Sequence, residues 1–363
     1  MSRAPLYFDH NATTLLRPAA AAAMTAAMGP ALNASSIHQV GRAARQKLED
    51  AREQVAAGLG CRHADITFTS GGTEANNMVL AGFHTHIISA VEHEAVRAAC
   101  PDATIISVDE AGIIDLAALE AALEAVPEDE RPSTIVSIMA ANNETGVIQP
   151  LVEIGALCAT HQVAFHSDMV QALGKMPLDL TIEGLSFASF SAHKIGGPSG
   201  VGALWIKPGL QLPSLLRGGG QEQGRRAGTE NTLGIIGFGA AMVEASSALS
   251  QFQEMAAWRD DCEAAILRAL PDCQILGQAA PRLPNTISLY YPKMTSAIAL
   301  MALDLKGICL SSGSACSSGK VKDSHVITAM GKAPLAAHVL RISGGWTTEK
   351  ADFTDLVKAL EAL

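Results

Sequence analysis

The stretch Val163 to Gln171, VAFHSDMVQ, begins as a short apolar run and turns polar at Asp168. Its first residues are β-branched, small or aromatic, which is typical of a buried strand. A carboxylate at the end of such a strand is either a cap for the next helix or a group that meets a ligand. We therefore expect Asp168 to lie in or beside a functional site.

Segments of the same kind recur on both sides of this stretch. Helical patterns, such as Leu116 to Ala125 and Val152 to His161, separate several of them. The alternation predicts an α/β fold with a mostly parallel seven-stranded sheet covered by helices on both faces. Ligands bind such sheets beyond the carboxyl ends of the strands. The predicted strands are Asp65 to Thr69, His86 to Ala90, Thr104 to Val108, Thr134 to Met139, Val163 to Ser167, Ser186 to Ser191 and Val201 to Ile206.

The pattern changes after about Ile206. A Gly-rich loop from Arg217 to Gly228, a helical region and a predicted strand from Asn285 to Tyr290 follow, which favours a smaller α+β domain. We therefore expect an N-terminal segment (residues 1–28) that packs with the small domain, a large domain (29–250) that binds the ligand, and a small C-terminal domain (251–363).

Composition and charge narrow the class of protein. Of 363 residues, 48% are hydrophobic, 17% charged and 4% aromatic, which is typical of a soluble α/β enzyme. The net charge of -10 comes with no basic stripe, so we expect no nucleic-acid partner. Met1 to His10 contains no apolar signal region, and Ala19 to Met28 is too short to span a bilayer. We expect a cytoplasmic protein that does not bind membranes.

The cysteines separate into two kinds. The chain has seven cysteines and no C-x-x-C pair, which argues against a disulfide framework and against a thiolate zinc site. We therefore expect no bound metal. Cys309 lies in an apolar run and is predicted to be a core residue. Cys316 lies in SSGSACSSG, residues 311–319, where small polar neighbours give a thiol the access and mobility of a nucleophile.

Two further motifs follow predicted strands. SGGTEANN, Ser70 to Asn77, opens a helix and forms either an anion site or a simple helix cap. Lys194 lies in SAHKIGGP, between a hydroxyl, an imidazole and a Gly-Gly-Pro turn. A lysine after a strand is usually a solvated surface group, but these flanks restrict the backbone and favour a fixed amine that forms a Schiff base.

The motifs SGGTEANN, VEHEAV, NNETGV, HSDMVQ and SAHKIGGPSG together resemble the fold-type I pyridoxal phosphate (PLP) enzymes of the class V aminotransferase superfamily. Within that group they are similar to the cysteine desulfurases of the NifS/IscS type, in order from about Leu6 to Asp352. The resemblance implies that the large domain binds PLP and that the small domain carries the catalytic cysteine loop. It also implies conversion of L-cysteine to L-alanine, with the sulfur left as a persulfide on Cys316 for iron–sulfur cluster or other sulfur biosynthesis.

The resemblance also implies roles for individual residues. Lys194 would carry the cofactor as a Schiff base, Asp168 would pair with the ring nitrogen, and His93 would stack on the ring and act in catalysis. Gln171 and Asn143 would bond the ring oxygen and its surroundings. The phosphate-binding residues implied by the resemblance are Gly72, Thr73, Ser191 and His193.

Three residues complete the implied cofactor and substrate sites. Thr229, in RAGTEN, resembles a threonine that binds the phosphate in the site of the neighbouring subunit, which implies a homodimer. The glycines of the loop around Thr229, taken alone, would favour a flexible surface loop. Arg341, in VLRISG, matches the arginine that grips the substrate carboxylate, and the alternative is an exposed strand charge. His10 stands near the substrate where the family usually has an amide.

Other positions also depart from the usual family pattern. Asn33 is a further expected substrate residue, but Ala34 after it replaces the usual proline, and Gly344 to Trp346 departs from the usual ending. The eight-residue step from Cys316 to Ser324 resembles the class with the longer catalytic loop, which passes sulfur to a partner. The expected partners are L-cysteine, a second copy of the chain, and a sulfur-acceptor protein or iron–sulfur scaffold.

Three other functions remain open from the sequence. A selenocysteine lyase would use the same PLP site and nearly the same cysteine. A PLP aminotransferase would not need Cys316. A non-catalytic PLP-fold protein would serve as a sulfur-transfer scaffold and would show no turnover.

Overall fold

The computed structural model describes residues 5–313 and 324–363. Within them, the strands are β1 (Leu6–Tyr7), β2 (Ile66–Thr69), β3 (Thr85–Ser89), β4 (Thr104–Ile106), β5 (Thr134–Ser137), β6 (Ala164–Asp168), β7 (Leu185–Ser191), β8 (Gly202–Ile206), β9 (Gln274–Ile275), β10 (Thr286–Tyr290), β11 (Ile308–Cys309), β12 (Ser311–Ser312) and β13 (Val339–Ser343). The α-helices are α1 (Pro18–Ala27), α2 (Gln39–Leu59), α3 (Gly72–Leu80), α4 (Glu94–Arg97), α5 (Leu116–Glu124), α6 (Leu151–Thr160), α7 (Thr232–Ser247), α8 (Leu249–Ala269), α9 (Ser296–Asp304), α10 (His325–Ala329) and α11 (Lys350–Glu361).

The central sheet has seven strands in the order β2-β8-β7-β6-β5-β3-β4. Strand β8 runs antiparallel to both of its neighbours, and the remaining pairs are parallel. The seven strands predicted from the sequence are the seven strands of this sheet. The mostly parallel α/β fold is therefore confirmed.

Strand β7 lies in the middle of the sheet and is buried on both of its faces. All seven of its residues, LSFASFS, are buried. Helices cover both faces of a parallel sheet, so neither face of a central strand meets water. The serines on such a strand are small, and the Ser189 hydroxyl and Nε2 of His166 on β6 form a hydrogen bond of 2.9 Å.

Helices α2 and α7 pack closely on one face of the sheet. Gly239 on α7 permits this contact, because a Cβ atom there would lie 2.4 Å from Gln54 Oε1 and 3.0 Å from the Cα of Ala51. Among the described residues, no single helix is long and apolar enough to cross a membrane; α7 and α8 meet that length and composition only together, with a bend of 63° between them.

The small domain is built on a second sheet of four antiparallel strands, in the order β12-β13-β10-β9. The N-terminal segment divides between the two cores. Strand β1 pairs with β11, and Phe8 lies in the core of the small domain, whereas Ala20 on α1 belongs to the core of the large sheet. The domain boundaries at residues 28 and 250 stay a prediction.

The parallel strands bring their carboxyl ends to one edge of the central sheet. Asp168 ends β6, and Lys194 lies in a 3-10 turn, Ala192–Lys194, directly after β7. Gly72 follows β2 by three residues, and His93 follows β3 by four. Residues far apart in sequence therefore meet at this edge.

A buried ion pair ties the Gly-rich loop to the large domain. Arg52 on α2 donates to both carboxylate oxygens of Glu222, at 2.8 and 2.7 Å. Glu222 also accepts a 2.8 Å hydrogen bond from the backbone N–H of Phe68 on β2. Because both charged side chains are almost fully buried, each supplies the other with its main opposite charge.

Glu222→Ala leaves the buried Arg52 guanidinium with only the exposed carboxylate of Glu49, at 3.1 Å from its Nε, and we expect a loss of up to about 3–5 kcal/mol in the free energy of unfolding. Chemical denaturation followed by circular dichroism measures this. The control is Lys358→Ala, which removes an exposed pair with Asp355 and should change the free energy by less than about 0.5 kcal/mol. Equal midpoints for the two variants would contradict the importance of the buried pair.

His166 predicts how stability depends on pH. Its ring is fully buried between the hydroxyls of Ser137 and Ser189, and burial lowers its pKa to about 4, with only partial opposition from the charge of Asp168. The unfolded chain binds the His166 proton at a higher pH than the folded chain. Stability should therefore fall as the pH drops from about 6.5 towards 4.

Unfolding free energies measured at pH 7.5, 6.0 and 5.0 test this pH dependence. His166→Gln keeps a polar side chain but removes the titrating group, so its stability should decline less steeply than that of the wild type. An identical slope for the two proteins would show that His166 does not contribute.

Candidate active site

A cavity of about 220 Å³ lies at the carboxyl edge of the central sheet. The structure brings most of the residues predicted for the cofactor and the substrate together around it. The predicted residues that line the cavity are Gly72, Thr73, His93, Asn143, Asp168, Gln171, Ser191, His193, Lys194 and Arg341.

Asp168 supplies a fixed carboxylate at one end of the cavity. Its Oδ2 accepts a 2.7 Å hydrogen bond from Asn76 Nδ2, and its Oδ1 accepts a 3.0 Å bond from the backbone N–H of Val170. These two donors hold the carboxylate in one orientation. The position suits an anion that keeps a positively charged ring nitrogen protonated.

Lys194 brings an amine to the same cavity. Its Nζ donates to the carbonyl oxygens of Asn11 and Ala12 at 2.6 and 2.7 Å. The turn that carries Lys194 requires Gly196, whose φ is +85° and where a Cβ atom would lie 3.0 Å from the Leu15 carbonyl oxygen. The Gly-Gly-Pro flank in the sequence therefore serves this close packing.

The N-terminus of α3 also lines the cavity. Gly72 is its first residue, and a Cβ atom there would lie 2.7 Å from Val170 Cγ2, so a side chain would close the cradle. Thr73, Ser191 and His193 line the same region. Backbone N–H groups at a helix N-terminus attract anions, and hydroxyls add donors.

His93 and Asn143 complete the walls. The Nδ1 atom of His93 accepts a 3.1 Å bond from the backbone N–H of Ala95, so the ring caps α4 and faces the cavity in a fixed tautomer. The carbonyl oxygen of Asn143 accepts a 3.1 Å bond from Asn11 Nδ2. Both residues are thus held by neighbours before any ligand binds.

Arg341, on β13 of the small domain, is the cationic group on the opposite wall. Its side chain is 1% exposed, and its Nη2 donates to Asp9 Oδ1 at 2.7 Å. The Nε atom is buried without a hydrogen-bond partner within the described structure. A carboxylate in the cavity would satisfy that donor.

Four predicted site residues lie elsewhere or outside the description. His10 lines a neighbouring cavity of about 20 Å³ rather than the main one, with its ring against Gly345. Asn33 and Thr229 are exposed and do not line the main cavity. Cys316 lies outside the described residues, so its role, like those of the other three, stays a prediction.

Sequence reasoning missed Asn11, Asn76 and Lys175. Asn11 and Asn76 line the cavity, and Lys175 bonds Asn11 from behind. One signal was available for Asn76, since it lies four residues after Gly72 and therefore on the same face of α3. No local pattern marks Asn11 or Lys175, because their contacts join segments 164 residues apart.

The cavity offers what pyridoxal phosphate needs. It combines a buried carboxylate for the ring nitrogen, an amine for the aldehyde, and a helix N-terminus with hydroxyls for the phosphate. The buried Oδ1 of Asn76 has no partner within the described structure and provides a further polar contact. Within residues 5–313 and 324–363, no cluster of His, Cys, Asp and Glu side chains forms a metal site.

Residues 6–356 match the aminotransferase class-V family, so nearly the whole chain belongs to this family of PLP enzymes. Its place within the family is among the cysteine desulfurases. It is 37% identical to the cysteine desulfurase IscS of Dictyoglomus turgidum, over 99% of this chain and 94% of the relative. It is 40% identical to a cysteine desulfurase of Sinorhizobium fredii, over 90% and 88% of the two chains.

Solved structures agree with this assignment. A NifS-like protein from Rickettsia africae superposes with a TM-score of 0.91 at 36% identity, over 99% of both chains. A structure described as SspA in complex with cysteine superposes with a TM-score of 0.79 at 29% identity, over 93% of this chain and 98% of the other.

Proposed function

We propose that this protein is a PLP-dependent cysteine desulfurase that converts L-cysteine to L-alanine and leaves the sulfur as a persulfide on Cys316. The cavity carries the proposal, because it joins a fixed carboxylate, a lysine amine and a buried arginine with an unpaired Nε. The relatives named cysteine desulfurase, and the similar protein solved with cysteine, support the choice of substrate.

The cofactor would be held through its aldehyde, its ring and its phosphate. Lys194 would bind it covalently, Asp168 would keep its ring nitrogen protonated, and His93 would stack on the ring. The N-terminus of α3 at Gly72 would bind the phosphate, with Thr73, Ser191 and His193 as further ligands. When bound, pyridoxal phosphate withdraws electrons from the α-carbon of an amino acid.

Arg341 and Lys194 would handle the substrate. The Arg341 guanidinium would bind the cysteine carboxylate, and the Lys194 amine, displaced by the substrate, would take the α-proton. Asn11 and Ala12 offer carbonyl oxygens that hold this amine near the cavity in either protonation state. These oxygens can therefore receive the amine once the substrate has displaced it from the cofactor.

The Cys316 thiolate would then attack the substrate sulfur. The bond between that sulfur and the β-carbon breaks, a sulfur–sulfur bond forms, and the β-carbon gains a proton, so the carbon skeleton leaves as alanine. The six described cysteines are poorer nucleophiles, because burial raises the pKa of every one of these thiols, to about 12 for Cys61, Cys158 and Cys262. A separate sulfur acceptor or iron–sulfur scaffold would take the persulfide.

A homodimer and a cytoplasmic location belong to the same proposal. Thr229 is exposed and lies outside the cavity of its own chain, so it is available to a second copy. The nearby ion pair between Arg226 and Glu74, at 2.8 Å, anchors its loop beside α3. The six described cysteines are free thiols, which suits a reducing compartment.

The first test mixes the purified protein with L-cysteine and a thiol reductant and measures sulfide and alanine. The wild type should give equal amounts of both products, and Cys316→Ala should give neither, because the sulfur then has no acceptor. Cys309→Ala, which removes a half-buried thiol outside the cavity, is the matched control and should stay active. An active Cys316→Ala protein would favour an aminotransferase, and a yellow protein without turnover would favour a scaffold.

The second test asks whether Thr229 acts across a dimer. Lys194→Ala and Thr229→Ala homodimers should each be impaired, the first through loss of the base and the second through weaker PLP binding. In a mixed dimer, one site combines the intact Lys194 of one chain with the intact Thr229 of the other. Activity after subunit exchange should therefore exceed the sum of the separate proteins; no gain would mean that Thr229 does not act in the other subunit.

A further inference from the structure

Lys175 is a buried cation behind the cavity wall with no assigned role. Its side chain is 3% exposed, and its Nζ donates to Asn11 Oδ1 at 2.9 Å and to Gln171 Oε1 at 2.6 Å. Both acceptors are uncharged amide oxygens. Burying a lysine with such partners costs free energy, so its presence calls for a function beyond packing.

A lysine that donates to an amide also decides which way that amide faces. An ammonium group has donors only, so the oxygen of each amide must point to Lys175 and each NH₂ group must point away. The NH₂ group of Gln171 donates to the Asn11 carbonyl oxygen at 2.9 Å. The NH₂ group of Asn11 donates to the Asn143 carbonyl oxygen at 3.1 Å and to Thr286 Oγ1 at 2.9 Å.

Lys175 orients the Gln171 amide, and it shares the orientation of the Asn11 amide with Asn285, whose Nδ2 also donates to Asn11 Oδ1, at 3.1 Å. This network ends at the Lys194 amine. The Asn11 carbonyl oxygen accepts from both Gln171 Nε2 and Lys194 Nζ, the latter at 2.6 Å. If the Gln171 amide turned over, its oxygen would face the Asn11 carbonyl oxygen, and the two would repel. The backbone that holds Lys194 would then shift.

We propose that Lys175 is a positioning residue that fixes the orientation of the Asn11 and Gln171 amides and through them the resting place of the Lys194 amine. This inference rests on the proposed function, in which Lys194 binds the cofactor and takes the α-proton. Lys175 itself touches neither the cavity nor the reacting atoms.

The charges around Lys175 fit this role. Burial lowers its pKa well below the ordinary value, and the positive charges of Lys194 and Arg341 lower it further. Lys175 in turn contributes to the lowered pKa values of His10 and His193, after burial in both cases. An uncharged amine still has two N–H groups, one for each amide oxygen, so the network keeps its direction in both states.

The test compares Lys175→Met with the wild type as holoenzymes. We expect kcat for sulfide formation to fall at least about tenfold while KM for L-cysteine changes less than about threefold, since the base and not the carboxylate grip is displaced. The absorbance of the lysine-linked cofactor should titrate at a pH at least half a unit away from the wild-type midpoint, because the Asn11 carbonyl oxygen beside the Lys194 nitrogen is displaced.

A matched control separates positioning from stability. Tyr291→Phe removes one buried hydrogen bond, to the Leu360 carbonyl oxygen in the small-domain core, and should lower Tm without moving the absorbance titration. Asn11→Ala breaks the same network one step later and should reproduce both effects, which keeps the proposal testable if Lys175→Met does not fold. The double variant Lys175→Met/Asn11→Ala should be no worse than the poorer single variant.

Two results would overturn the proposal. One is a Lys175→Met protein whose kcat and titration midpoint match the wild type. The other is a double variant in which the two single effects multiply, because Lys175 would then act independently of Asn11. If instead the wild type makes no sulfide, the proposed function fails, and the absorbance titration of the cofactor still reports the effect of Lys175.

Discussion

The hydrogen bonds from the Lys194 amine to the Asn11 and Ala12 carbonyl oxygens join the N-terminal turn to the edge of the central sheet. The rest of the site depends on this contact. Asn11 also reaches the small domain, through Thr286 Oγ1 and through its backbone N–H to Ser343 Oγ at 3.0 Å. One turn therefore sets the distance between the two domains and the place of the amine together, so the cavity has a defined shape before a ligand binds.

The charge balance of the cavity follows from that geometry. Among its described lining residues, Asp168 is the only acid, while Lys194 and Arg341 are cations. A site of this kind favours a ligand with more than one negative group, such as a phosphate together with a substrate carboxylate. Arg341 Nη2 donates to the Asp9 carboxylate, so the buried guanidinium is paired with an anion before a ligand binds. Its Nε is left to bind a ligand carboxylate.

The fold, Asp168, Lys194 and the helix start at Gly72 were predictable because their signals are local, whereas His93, Asn143, Gln171 and Arg341 came from the resemblance to a family. Apart from β4, the strands of the central sheet are short, mostly buried runs, and a polar residue at or just after the strand end, such as Asp168 at the end of β6, must lie at the shared edge. The Gly-Gly-Pro flank of Lys194 and the small residues around Gly72 mark close backbone packing within a few residues. Pattern and spacing were sufficient for these positions, and the resemblance to a family then gave them their proposed chemistry.

The remainder was not predictable because it arises from partners distant in sequence. Nothing near Lys175 distinguishes it from a surface lysine, and only the folded chain brings Asn11 to its amine. His10 was expected near the substrate, but the adjacent Asn11 faces the cavity and His10 packs against Gly345, where a Cβ atom would clash with its ring. The space that Gly345 leaves for the His10 ring lets Asn11, and not His10, face the cavity. Because Gly345 lies 335 positions after His10, the motif that contains His10 and Asn11 does not show which of the two side chains faces the cavity.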